Sequence, residues 1–82
     1  MSEGEKKLHN HCVDVAEGLG LEVDSASWSI DLVTKEHILT VVAKTGTTEM
    51  RFSQKEIDDY ALGIGTGAAN DKIREALEDI VD

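Results

Sequence analysis

The sequence predicts an α+β fold in two layers, a three-stranded antiparallel meander covered on one face by helices, in the order α-β-β-β-α-α. Three observations carry this. Apolar residues recur at helical spacing near both ends of the chain, and they alternate with period two through its middle. Glycines and capping boxes stand where one period gives way to the other. Sequential strands joined by short turns pair as neighbours, which predicts strand order 1-2-3.

The first helix is expected over residues 3–18. Ser2 and Glu5 have the S-x-x-E spacing of a capping box, and Leu8, Cys12, Val15 and Leu19, with Ala16 beside them, form one apolar stripe. Gly18 and Gly20 are terminators. Gly20 followed by Leu21 suits a left-handed cap with its hydrophobic contact.

From Ala26 the period becomes two. Ala26, Trp28, Ile30 and Leu32 alternate with Ser27, Ser29 and Asp31, as in a strand buried on one face. "TKEH" is a tight turn, and "HILTVVAK" has the β-branched richness of a central strand. In "KTGT", Gly46 stands where a hairpin calls for positive φ. "TTEMRF" follows as a short third strand, with Met50 and Phe52 on one face and Glu49 and Arg51 on the other.

Ser53 and Glu56 form a second capping box, so a helix starts at Gln54, carries Ile57, Tyr60 and Ala61 inward and stops at Gly63. After the glycines, Ile73, Ala76, Leu77, Ile80 and Val81 mark an amphipathic helix running to the C-terminus.

At 82 residues the chain fits one small domain, 1–82, with no room for a second core. Aromatic residues are only 4%, so aliphatic side chains must supply most of the burial. Such a domain is marginal, holding about 3–5 kcal/mol unless association adds to it. One cysteine excludes an intrachain disulfide, and no apolar run is long enough for a signal segment or a bilayer span. These features point to a cytoplasmic setting without membrane contact.

The formal net charge of −9 opposes nucleic acid, whose affinity comes largely from Lys and Arg displacing counterions. The order helix, three strands, helix nevertheless resembles the double-stranded-RNA-binding domain. That family places a lysine cluster at the start of its final helix. The matching stretch here, "GAANDKIREAL", carries Lys72 and Arg74 with Asp71 before them. The resemblance implies that Lys72, Arg74, Lys44 and Arg51 would gather on one surface.

Several chemistries fail on spacing. "HNHC" holds His9, His11 and Cys12, but on a helix the two histidines point about 160° apart and cannot converge on one metal ion. Cys12 lies in the apolar stripe, which argues for a raised thiol pKa and against a nucleophile. The carboxylates, including the pairs Glu75–Asp79 and Glu78–Asp82, suit solvated helix faces. No catalytic residue, cofactor site or metal site is assigned, and the expectation is a protein that is not an enzyme.

Two candidate sites remain. The first is the open face and edge of strand one, with Ser27, Ser29, Asp31 and Val33, where the sheet can pair with a protein partner or another copy. The second is the loop "LGIGTG", with Gly63, Gly65, Thr66 and Gly67. Its spacing is neither a dinucleotide fingerprint nor a P-loop, although the following helix N-terminus could hold a small anion. Asp71 in the first turn and a Thr66 or Asn70 cap compete for that end, leaving a flexible joint cornered by Ile64 as the better reading.

Overall fold

The structure is a computed structural model that describes residues 1–81. Its elements are α1 (Glu3–Gly18), β1 (Val23–Ile30), β2 (His37–Ala43), β3 (Gly46–Phe52), α2 (Gln54–Ala61) and α3 (Thr66–Glu78). The strands form one antiparallel sheet in the order β1-β2-β3. Asp82, expected on the last helix, lies outside the described residues.

Both capping boxes form. Ser2 accepts the Glu5 amide while Glu5 accepts the Ser2 amide, and Ser53 and Glu56 repeat the exchange at α2. The C-termini of α1 and α2 also match. Gly20 (φ +78) and Gly63 (φ +80) take the left-handed position. The amides of Leu21 and Ile64 then reach back to the Ala16 and Asp59 carbonyls, closing Schellman motifs. Their apolar contacts differ, because Leu21 is buried whereas Ile64 is 55% exposed and anchors no corner in the core.

One face of the sheet is apolar. Trp28, Leu39 and Met50 form one cross-strand row, and Ile30, His37 and Phe52 form the next. Leu39, Val41, Met50 and Phe52 pack with Leu8 and Cys12 of α1, Ile57 and Tyr60 of α2, and Ile73 and Leu77 of α3. Burying one such aliphatic side chain contributes about 1.5–3 kcal/mol. α1 lies against β1, α2 and α3, while α3 lies against β3.

The open face carries Ser25, Ser27 and Ser29 of β1, with Thr40, Glu49 and Arg51 farther along the same rows. Ile38 also points there and is only 8% exposed. The apolar richness of β2 on both faces is therefore real burial, although Ile38 stands apart from the main cluster.

Four expectations need correction. β1 begins at Val23 and ends at Ile30, so Leu32 and Val33 belong to the connection. Asp31 stops the strand because its carboxylate accepts the amides of Val33 and Thr34, turning the chain away from the ladder. Gly46 does not adopt positive φ. It is small for another reason: a Cβ there would lie 3.2 Å from the Ile80 side chain.

α3 starts earlier than its apolar stripe and ends at Glu78, leaving Ile80 and Val81 beyond it. Its N-cap is Gly65 in the left-handed conformation, φ +67, with no side-chain cap. Thr66 and Gly67 are the first helical residues, and Asp71 lies past a first turn that holds no acid. Asn70 instead accepts the Tyr60 hydroxyl at 2.8 Å.

Candidate functional site

The free edge of β1 follows from the hydrogen-bond phase of the ladder. In an antiparallel pair, alternate residues turn both backbone groups toward the neighbour, and those between turn both away. The Asp31 amide donates to the Glu36 carbonyl at 2.9 Å, so Asp31 faces β2. Counting back along the register, Ser29, Ser27 and Ser25 also face β2. Ala26, Trp28 and Ile30 therefore present their N–H and C=O groups outward.

One of those outward groups is occupied. His9 of α1 donates its Nε2 to the Ala26 carbonyl at 3.2 Å. Trp28 and Ile30 keep both backbone groups free among the described residues. The indole of Trp28 is held by the Glu5 carbonyl at 3.3 Å, edge-on to His37 and tilted against Phe52. His37 in turn donates to Gln54 at 2.8 Å and lies 3.7 Å from the Glu5 carboxylate, joining α1, β2 and α2.

Beside this edge stands the β1–β2 tip, a tightly bonded loop that displays apolar side chains. Leu32 is 76% and Val33 91% exposed, with Ile30 at 49% next to them. The Asp31 carboxylate holds two tip amides and receives Arg51 at 3.1 Å. Those backbone amides, with the Arg51 guanidinium, hold the Asp31 carboxyl below the usual carboxylate range. The Lys35 amide closes onto the Asp31 carbonyl with Lys35 itself at φ +65, and the Thr34 hydroxyl accepts the Glu36 amide. Ordering costs are thus already met within the chain.

The four expected residues fall into two groups. Ser27 and Ser29 are exposed on the open face, opposite Thr40 and Ile38. Asp31 and Val33 lie in the tip, where Asp31 shapes the loop and Val33 projects from it. Sequence reasoning missed Leu32 and Ile30 as surface residues, having placed them on the buried face. The signal was present in "DLVT", where an Asp two and three residues before free amides makes a turn.

The other edge also has one outward carbonyl filled. Lys72 donates to the Arg51 carbonyl at 2.7 Å and to Glu56 at 3.0 Å, and lies 4.7 Å from the centre of the Phe52 ring. Burial raises the Glu56 carboxyl, but the Ser53 amide and Lys72 outweigh it and bring the group below its ordinary range. Arg51 and Glu49 add charged side chains along β3.

The four cations of the RNA-binding resemblance do not all gather on one surface, although Lys72 reaches the backbone of Arg51. Lys44 sits at the β2–β3 turn, about 17 Å along β3 from Arg51 at a strand's rise per residue. Arg51 pairs with Asp31 and Glu36, Arg74 with Glu78, Lys44 with Glu22 and Lys72 with Glu56. Each phosphate contact would first have to break an acidic one.

The glycine loop lies at the mouth of a depression of about 160 Å³ lined by Glu56, Asp59, Ile64, Gly65, Ala68 and Ala69. Gly63 and Gly65 turn the chain, while Thr66 and Gly67 open α3 with uncapped amides. Those amides favour an anion, whereas Glu56 and Asp59, which also line the depression, oppose it. Each of these carboxylates is already paired with a lysine, Glu56 with Lys72 and Asp59 with Lys55.

Cys12 is 1% exposed, and burial pushes its thiol up to about 11. Among the described residues no group of three or more His, Cys, Asp or Glu side chains is placed to hold a metal ion, and no helix is long and apolar enough to cross a membrane. No protein-family model, curated protein or solved structure matches the chain.

Proposed function

We propose that this protein is a non-enzymatic interaction module that binds a protein partner by strand addition at β1, with the Leu32–Val33 tip as an apolar anchor beside the new strand. The observation that carries this reading is the contrast between the two sheet edges. Each edge has one outward carbonyl capped by a helix side chain, but β3 carries Glu49 and Arg51 along it, whereas β1 has Asp24 as its one charged residue. Main-chain bonds would supply affinity, and the exposed Ile30, Leu32 and Val33 would supply specificity. The single cysteine fits a reducing compartment such as the cytoplasm.

Ile30→Pro tests it. Proline removes an N–H that points away from the ladder, so the fold remains while strand addition is blocked. In affinity capture from native lysate, a partner should be retained by the wild type and lost with both Ile30→Pro and Leu32→Asp. A partner that both variants retain, with unchanged circular dichroism, places the binding surface elsewhere and removes this proposal.

A further inference from the structure

Building on the strand-addition reading, we infer that the β1 edge pairs with a second copy of this chain, antiparallel, about a two-fold axis at Ser29. The register follows from which backbone groups are free. Trp28 and Ile30 offer both N–H and C=O, whereas the Ala26 carbonyl is already held by His9. An isologous pairing repeats every contact across its axis, so each outward residue must meet another outward residue.

With the axis at Ser29, Trp28 of one copy lies opposite Ile30 of the other. Each of those two symmetric pairs exchanges two N–H···O bonds, and none needs the Ala26 carbonyl. An axis at Trp28 instead sets the Ile30 amide against that occupied carbonyl. His9 thereby excludes axes nearer the start of β1, which would first require breaking its bond, and an axis at Ile30 would set Trp28 against Leu32, which lies beyond the end of the strand.

The side chains fit the same axis. On the helix-facing side, Ile30, 49% exposed, falls on the half-buried Trp28 of the second copy. On the open face, Ser29 meets its own symmetry mate, a small pair at the closest approach. Ser27 lies across from Asp31, a hydroxyl donor facing a carboxylate. No like charges stand directly opposite along this stretch. A foreign peptide has no need of such symmetry, yet this one short segment supplies donor, acceptor, apolar cover and a small residue at the axis.

The net charge of −9 on each copy opposes association, so added salt should tighten the dimer. Sedimentation equilibrium of the purified protein from micromolar to millimolar concentration tests the inference. The mass should rise from 8.9 kDa toward twice that value, more readily in high salt. Emission from the single Trp28 should move to the blue over the same concentrations. Ile30→Pro and Ser29→Lys should each raise the dissociation constant at least about tenfold with circular dichroism unchanged. Should Ile30→Pro not fold, Ser29→Lys on the exposed face decides alone. A wild type that stays monomeric at millimolar concentration overturns the self-pairing, as does a dimer that Ser29→Lys leaves intact. If the protein is monomeric yet loses its lysate partner through Ile30→Pro, strand addition stands and only self-pairing falls.

Discussion

His9 of α1 closes its Nε2 on the carbonyl of Ala26, an outward-facing group of β1, at 3.2 Å. Lys72 of α3 does the same for Arg51 on β3, at 2.7 Å. Each sheet edge thus has one outward carbonyl filled by the helix that packs beneath it, and the edges differ in charge: Glu49 and Arg51 lie along β3, whereas β1 carries only Asp24. Replacing His9 by Ala should lower stability by about 0.5–1.5 kcal/mol, the ordinary net worth of one hydrogen bond. Urea unfolding reads this directly, and no change in midpoint would mean that the contact contributes nothing.

Gly4 is buried at the crossing of α1 and α2, where a Cβ would run into the Ile57 backbone carbonyl. Backbone cannot swing aside as a side chain can. Gly4→Ala should therefore destabilise the protein by about 1–3 kcal/mol despite alanine's better helix propensity. Thermal unfolding checks it, and a raised melting temperature would show that the helices separate without cost.

Asp31 organises the tip through its ionised carboxylate. Its pKa lies below the ordinary value of about 3.9, so this contribution is complete above that pH and disappears as the pH falls through the lowered folded value. The amide shifts of Val33 and Thr34 should titrate with a midpoint below the ordinary one. A midpoint at or above it would mean that the loop does not hold the charge.

With the thiol of Cys12 pushed up to about 11, roughly one in a thousand is ionised near pH 8. A disulfide reagent should react slowly with the native protein and rapidly after denaturant is added. Fast reaction of the native state would show that α1 opens readily from the core.

Much of this fold was legible because its signals are local. Ser2–Glu5 and Ser53–Glu56 name two helix starts, and Gly20 and Gly63 name two ends, since each relation spans only a few residues. The start of α3 was not legible, because Gly65 caps it without a side chain. Gly46 and Gly4 reveal their roles only against Ile80 and Ile57, residues distant in sequence. The candidate edge was half legible. Alternation placed Ser27 and Ser29 on one face, but the direction of the Trp28 and Ile30 backbone groups depends on the pairing of Asp31 with Glu36.

That direction is the central claim, and amide hydrogen exchange read residue by residue tests it most directly. In dilute protein the amides of Ser27 and Ser29 should be protected while those of Trp28 and Ile30 exchange like exposed groups. At millimolar concentration the latter two should become protected as the edge fills. Protection of Trp28 and Ile30 equal to that of the serines in the dilute monomer would contradict an open β1 edge.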